Sequence, residues 1–432
     1  MLHVLKRAIS ILERDGVGGF INKSKNYLRS YVSYKFSPEA DKKNTNWHKY
    51  IKELDARAEV LTCTPWKIGL ESTSVCNLQC IMCPHVFAHP RSGKHFNIKS
   101  LEGLEQYIAA AGEFQLMGGG EPLISPAFWK IMGYIKEHHK STPRISISSN
   151  GAALNKHFAE KLLDSPLQEI SFSLDAANPA TYKKIRNADF GRTIENIKYF
   201  LRRKKEKGQS TPFVMLNMTL MRENIDELVP FIELAHELQV DAVQFWPLHD
   251  YDLSRTGDWT VERNGWTFVY REQMLGQNEE EAAFANAIID KGIERAGELG
   301  MEVIWPVGGR TRIVAQSENT HEVAADASAK VETSAQPLTN SAVDDMDVAP
   351  HGDLRECVAP WEWMAITEAG EVRPCCYIVN PLGNLKESSP EEIWNGAEYR
   401  EMRRDLARGV LPRQCRNAAC KYVRSARNYG NM

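Results

Sequence analysis

Cys76-Asn77-Leu78-Gln79-Cys80-Ile81-Met82-Cys83 sets three thiols within one short loop-forming stretch, a C-x3-C-x2-C run able to hand three thiolates to one inorganic centre. A closed structural zinc site takes four protein ligands, whereas three ligands and an open position describe a site that does chemistry. Iron–sulfur clusters are likewise held by thiolates, and an iron without its fourth thiolate can bind a small molecule. Two plainer readings stand beside this one: a zinc loop that borrows a distant fourth ligand, or buried thiols without metal. Asn77 and Pro84 favour a turning loop over a continuous helix. An apolar, β-rich run at 67–71 ends five residues before Cys76, so the thiols hang from the C-terminal edge of a strand.

Outward from that loop the chain alternates short β-rich runs with longer helical patterns, which predicts repeated βα units around a parallel sheet. Strands are expected at 67–71, 114–117, 144–148, 169–174, 214–220 and 242–246, and helices at 100–111, 126–139, 156–163, 179–205 and 224–238. Each helix is long enough for a right-handed crossover. A helix over 279–299 feeds an apolar run at 301–305 that either extends the sheet or bridges to the next unit. The second strand ends in Met117-Gly118-Gly119-Gly120-Glu121-Pro122, and glycines there let a ligand approach the backbone. Glu121 is able to accept a hydrogen bond from an ammonium group.

With 432 residues the chain exceeds one ordinary core, so two domains or a barrel with an appendage are expected. The 53 basic and 56 acidic side chains leave a formal charge of -3, which supplies no field for nucleic acid. Nine cysteines, an odd number at short spacings, fit metal or cluster ligation in a reducing cytoplasm better than disulfides. Residues 1–62 read as a helical extension. Its first part is an amphipathic pattern broken by Lys6, Arg7, Arg14, Lys23, Lys25 and Arg29, too polar for a signal or a span. Such a helix either makes weak contact with an anionic membrane surface or packs on the body with its charges solvated. Residues 63–310 hold the repeated units. Residues 311–352 are expected to be a disordered acidic linker, with seven acids against Lys330 from Ala315 onward, and 353–432 to be a second compact unit.

The Cys76–Cys80–Cys83 run and Gly118–Gly119–Gly120–Glu121, one βα unit apart, resemble the signatures of the radical SAM superfamily. The resemblance implies an α/β fold, a partial (β/α)6 TIM-like barrel, whose three cysteines hold a [4Fe-4S] cluster with an iron open to S-adenosylmethionine. It implies an oxygen-sensitive enzyme that cleaves S-adenosylmethionine reductively to a 5′-deoxyadenosyl radical, with electrons from a partner such as flavodoxin or ferredoxin. In relatives the Gly-Gly-Glu motif binds the amino group of the methionine moiety. Further matches are Ser148-Ser149-Asn150-Gly151, Ser171-Phe172-Ser173-Leu174-Asp175 and the following Tyr182-x-x-Ile185-Arg186. Ser173 and Arg186 are the expected holders of the cofactor's carboxylate. Asn150 and Asp175 read equally as cofactor contacts or as a turn and a helix cap. Met82 stands where relatives carry an aromatic residue against the adenine, and a thioether still packs on a ring edge.

The last eighty residues resemble the SPASM or shorter twitch domain, with Cys357, Gly370 and Cys375 in a C-x12-G-x4-C pattern. This implies a small cluster-binding α+β domain with one auxiliary [4Fe-4S] cluster on Cys357, Cys375, Cys415 and Cys420. Cys376 is a bystander or an alternative to Cys375, and a four-cysteine zinc knuckle is the other reading. Cys415-Arg-Asn-Ala-Ala-Cys420 departs from the usual C-x2-C ending. Cys63 reads as a core thiol. Substrate contacts are expected at Asp250, Tyr251 and Asp252 after the sixth strand, with Trp305 and Arg310 as further candidates. The preferred substrate is a small molecule, sugar-derived among others. A peptide or protein side chain, oxidised, cross-linked or epimerised, is the alternative, and a non-catalytic iron–sulfur or zinc protein the remote one.

Overall fold

The computed structural model describes residues 45–87, 93–139, 141–248, 259–263, 265–305, 313, 354–378, 380–415 and 420. The segment 1–44, the loop 249–258 with Asp250, Tyr251 and Asp252, Arg310 and all of 311–352 except Ile313 lie outside them.

Six parallel strands follow the predicted runs: β1 (Lys67–Leu70), β2 (Glu113–Gln115), β3 (Arg144–Ser149), β4 (Glu169–Ser173), β5 (Phe213–Leu220) and β6 (Ala242–Pro247). The apolar run at 301–305 extends the sheet, as β9 (Glu302–Ile304) parallel to β6. Between them an antiparallel hairpin, β7 (Thr260–Arg263) and β8 (Trp266–Val269), forms a separate sheet.

The helices on the outer face are α1 (Thr45–Asp55), α2 (Glu105–Ala110), α3 (Pro126–His138), α4 (Lys156–Leu163), α5 (Pro179–Arg186), α6 (Phe190–Glu206), α7 (Leu228–Leu238) and α8 (Glu279–Leu299). Two predicted helices are each broken in two. The 100–111 stretch is interrupted at Gly103, whose φ of 89° no L side chain adopts cheaply. The 179–205 stretch ends its first helix at left-handed Asn187 (φ 54°), and Asp189 caps the second by accepting from the Arg192 amide at 2.9 Å. The cap of α5 is Asn178, which accepts from the Ala180 and Thr181 amides, so Asp175 has no part in it.

The C-terminal unit does not stand apart from the barrel. Its first strand, β10 (Trp363–Ile366), lies parallel to β1 in the register Lys67↔Trp363 to Leu70↔Ile366, and β11 (Glu371–Arg373) and β12 (Gly383–Asn384) continue the same sheet antiparallel. One ten-stranded sheet therefore runs β12-β11-β10-β1-β2-β3-β4-β5-β6-β9. Two helices, α9 (Pro390–Trp394) and α10 (Ala397–Arg408), close the unit, the first through a Ser389/Glu392 capping box.

Strand alternation separates two faces. Phe114, Ile147, Phe172, Leu216 and Phe245 are buried in the apolar layer under the helices, as in the perpendicular Phe172–Phe200 contact with α6. The opposite face carries the small or polar residues Gly69, Gln115, Ser146, Ser171 and Asn217, with Met215 and Trp246 among them. At the N-terminal ends of these strands Lys67–Glu113 (3.3 Å), Arg144–Glu113 (3.7 Å) and Arg144–Glu169 (2.6 Å) form an ionic belt on that face. Burial works against the Glu113 carboxylate, but Lys67 and Arg144 hold its pKa below the usual value.

Candidate active site

The thiol loop follows β1 directly. The Cys83 amide donates to the Cys80 carbonyl at 3.1 Å, and a one-turn helix, Pro84–Phe87, succeeds it. The loop is clamped to the end of β2: the Glu121 amide donates to the Val75 carbonyl at 2.9 Å. Glycine is required here, because a Cβ on Gly120 would stand 2.4 Å from the Val75 oxygen and 2.6 Å from that of Thr73. Gly118 likewise accommodates the Glu71 side chain, 2.4 Å from where its Cβ would be. The predicted thiol run and glycine run thus form one structural unit.

The Glu121 carboxylate is engaged within the chain. It is buried and accepts from the Leu123 amide (3.2 Å), the Ser149 hydroxyl (2.8 Å) and the Asn150 amide (2.8 Å). Burial pushes its pKa up, against those three bonds and the nearby charge of Arg186. Its ordering effect is on the glycine turn that precedes it. Asn150 is brought to the thiols: its Nδ2 donates to the Asn77 Oδ1 at 2.9 Å and lies 3.8 Å from the Cys76 Sγ.

Arg186 and Asp175 form a buried ion pair at 2.5 Å. Desolvation opposes the Arg186 charge, but Asp175 and the Cys80 thiol outweigh it and its pKa is raised. A second guanidinium nitrogen donates to the Cys80 Sγ at 3.5 Å, while Nε has no partner among the described residues. Asp175 itself sits at φ 62°, a strained conformation for a non-glycine residue, held by the Thr219 amide donating to its Oδ1 at 2.7 Å. A positive charge beside a cysteine sulfur, with a donor to spare, suits a thiolate-bound cluster and an anionic ligand next to it.

Over the loop lies an apolar cap that sequence periodicity does not reveal. Leu78, Ile81 and Met82 pack with Ile185, Met221 and the hairpin residues Trp259, Phe268 and Tyr270, and Trp259 stacks on Tyr270 at 4.9 Å. Met82 is buried in this layer. Ser173 lies on the inner face at the end of β4, in register with Asn217. Trp305 packs against the helix-side residue Phe245 at 5.3 Å, which assigns it to the core rather than to the mouth of the barrel.

The second thiol set lies at the other end of the strands. The antiparallel pairing Ala365↔Arg373 carries Cys375 level with Trp363, and so with Lys67 at the start of β1. The length of β1, about 13 Å at 3.3 Å per residue, therefore separates the levels of the two sets. Burial raises the pKa of Cys375 well above a free thiol, and Cys376, Cys357 and Cys415 add to it; Cys415 is raised by burial, then by Cys420 and Cys357. Cys376 is pushed up to about 11 by burial. Such thiols resist ionisation until a metal takes the proton's place. Among the described residues no group of three or more His, Cys, Asp or Glu side chains is arranged to hold a single metal ion.

Comparison with known proteins decides the family. The pattern described as the radical SAM superfamily matches residues 70–235, and that of an iron–sulfur cluster-binding domain, SPASM, matches 357–421. The chain belongs to the radical SAM superfamily. It is an enzyme of that family with a C-terminal SPASM domain, and S-adenosylmethionine and [4Fe-4S] clusters are the cofactors the two domains imply. The AdoMet-dependent heme synthase of Methanosarcina barkeri is 25% identical over 350 residues, covering 79% of this chain and 86% of that protein. A GTP 3′,8-cyclase of Syntrophomonas wolfei is 32% identical over 193 residues, but these are 41% of this chain and 54% of the cyclase. The fold matches that of Streptococcus suis SuiB bound to precursor peptide SuiA (TM-score 0.54, 14% identity, 90% of this chain and 76% of that one). It also matches anSMEcpe with bound AdoMet and a peptide (TM-score 0.53, 15% identity, 85% and 94%).

Sequence reading missed Glu71, Glu368 and Arg373. Glu71 is the first residue beyond β1 and falls on the inner face by alternation, a position its polarity could have flagged. Its pKa is pushed up to about 7, by burial first, with Glu368 hydrogen-bonded to it and Glu371 nearby raising it and Arg373 opposing. No helix among the described residues is long and apolar enough to cross a membrane.

Proposed function

We propose that this enzyme abstracts hydrogen from a small polar molecule and uses one auxiliary cluster to pass electrons. Carrying the proposal is the junction of the thiol loop and the glycine turn, where Gly120 tolerates no side chain against Thr73 and Val75. Cys76, Cys80 and Cys83 hold the catalytic [4Fe-4S] cluster, and Cys357, Cys375, Cys415 and Cys420 the auxiliary one. A cluster held by the first three cysteines would supply one electron to bound S-adenosylmethionine, whose C5′–S bond would then break to give methionine and a 5′-deoxyadenosyl radical.

The chain's own residues orient and shield. The Gly118–Gly120 backbone receives the cofactor's amino group, Ser173 and the spare donor of Arg186 its carboxylate, and Met82 the adenine edge. Asn150 fixes the loop through Asn77, and Asp175 keeps Arg186 in place. The cap of Trp259, Phe268 and Tyr270 keeps water from the thiol loop. A small-molecule substrate is supported by the relatives named for heme and GTP. Asp250, Tyr251 and Asp252, on the loop after β6, are offered as substrate contacts. A flavodoxin or ferredoxin serves as reductant.

A second reading, modification of a peptide side chain, draws on the peptide-bound proteins that share the fold. Deuterated small molecules and peptides offered to the reconstituted, reduced enzyme separate the two. Deuterium recovered in 5′-deoxyadenosine from a small molecule supports the first reading. Recovery only from a peptide replaces it with the second.

A further inference from the structure

The hairpin β7–β8 sits over the thiol loop without a strand partner in the main sheet, since it forms a two-stranded sheet of its own. A two-stranded hairpin alone is marginal in water, so side-chain contacts must hold it in place. Its inner side is apolar. Trp266 meets Phe268 edge-on at 5.4 Å and Phe268 meets Tyr270 at 6.1 Å, and this layer packs on Leu78, Ile81 and Met82 with Cys76 and Cys83 half-buried beside it. Apolar contact is non-directional, so by itself it does not fix the seat of the hairpin.

A directional contact is made from α5. The Lys184 ammonium lies 4.0 Å from the centroid of the Trp266 ring, on the first residue of β8, and pairs with the carboxylate of Glu223. Glu223 stands in the turn after β5. There the Arg222 amide donates to the Gln273 carbonyl at 2.9 Å and the Glu223 amide to the Gln273 Oε1 at 3.0 Å, which fixes the helical turn Tyr270–Gln273 behind the hairpin to the same place. The two residues after Lys184 grip the thiol loop: the Ile185 carbonyl accepts from the Ile81 amide at 2.9 Å, and Arg186 donates to the Cys80 Sγ at 3.5 Å. Three consecutive residues at the end of α5 therefore join the hairpin, the loop backbone and a cysteine sulfur.

We propose that Lys184 is a positioning residue that latches the hairpin to α5 and so keeps oxygen and water from the sulfurs of Cys76, Cys80 and Cys83. This deepens the shielding role given to the cap above and rests on the assignment of those thiols to a cluster. Lys184 acts through Trp266. A cation over an indole face is held more strongly where it is partly desolvated, and Glu223 keeps the ammonium at that face. The second thiol set, at the other end of the strands, lies beyond the hairpin and serves as an internal control.

The test gives the reconstituted full chain a brief pulse of air, alkylates it natively with iodoacetamide and counts each labelled thiol by peptide mass spectrometry. Iron-free chain, kept anaerobic, is alkylated in parallel. In both samples Lys184→Met should label Cys76, Cys80 and Cys83 about fivefold faster, the rise in open population that loss of one such contact gives. Cys357, Cys375, Cys415 and Cys420 should keep their rates. Lys184→Arg, whose guanidinium both stacks on an indole and pairs with a carboxylate, should stay within about twofold of the unaltered chain. The double variant with Trp266→Leu should label no faster than Trp266→Leu alone. Unchanged labelling in Lys184→Met, an equal rise at both thiol sets, no rescue by arginine or additive effects in the double variant overturns the inference. Iron content and visible absorption of the unaltered reconstituted sample test the cluster assignment separately, and if no cluster forms the iron-free comparison still decides on the latch.

Discussion

The thiol loop after β1 and the thiol set of the C-terminal unit prepare their sulfurs in opposite ways. At the first, the chain supplies its own charge compensation: Arg186 donates to the Cys80 sulfur, and Asn150 lies beside that of Cys76. At the second, burial and neighbouring thiols push Cys375 and Cys415 up together. On the proposed ligand assignment, the first site is therefore organised before metal arrives, and the second would depend on the metal to ionise its thiols. Its surroundings are tied down instead by Arg403, fully buried, which donates to the carbonyls of Pro360 (2.8 Å), Trp394 (2.8 Å) and Glu59 (3.2 Å).

The largest expected effect breaks the first side of that comparison. Arg186→Gln leaves Asp175 buried without its partner, and denaturant titration of the iron-free protein should show a loss of about 3–5 kcal/mol. Arg186→Lys should recover little, since one ammonium cannot meet Asp175 and Cys80 together. A smaller loss, about 2–3 kcal/mol, is expected for Arg403→Met, because its acceptors are carbonyls and the aromatic rings of Trp394 and Tyr399 remain to pack the thioether. Hydrogen exchange should then quicken in 45–63, the segment Arg403 ties to the C-terminal unit. Equal losses in the two variants would erase the distinction drawn here.

Much of this arrangement was legible from local pattern. Six strands fell within one or two residues of their predicted runs because β-rich stretches and turn residues are local signals, and the two broken helices kept their signals in Gly103, Asn187 and Asp189. The pairing of β1 with β10 was not legible: Leu70 and Ile366 meet across nearly 300 residues, and no periodicity encodes such a partner. The same distance hid the Glu71–Glu368 contact. Glu121 was read from its motif as facing a ligand, yet Ser149 and two backbone amides take up its carboxylate, a set of partners fixed only by the fold.

The smallest effect concerns pH. Glu71, whose usual value is 4.5, is raised to about 7 in the folded chain by burial, with Glu368 and Glu371 adding and Arg373 opposing. The native state therefore binds the extra proton between those values. Its stabilisation is complete below about pH 4.5 and is lost as pH rises through about 7. After solvent screening this amounts to roughly 1–2 kcal/mol. Unfolding free energies from pH 5 to 8 should decline less steeply in Glu71→Gln than in the unaltered chain.

Reductive cleavage of S-adenosylmethionine, followed as 5′-deoxyadenosine in anaerobically reconstituted protein, tests the division of labour between the thiol sets most directly. The unaltered chain should form it, Cys80→Ala should form none, and Cys415→Ala should retain cleavage while losing substrate turnover. No 5′-deoxyadenosine from the fully iron-loaded, reduced chain, or equal loss in the two variants, would contradict the account.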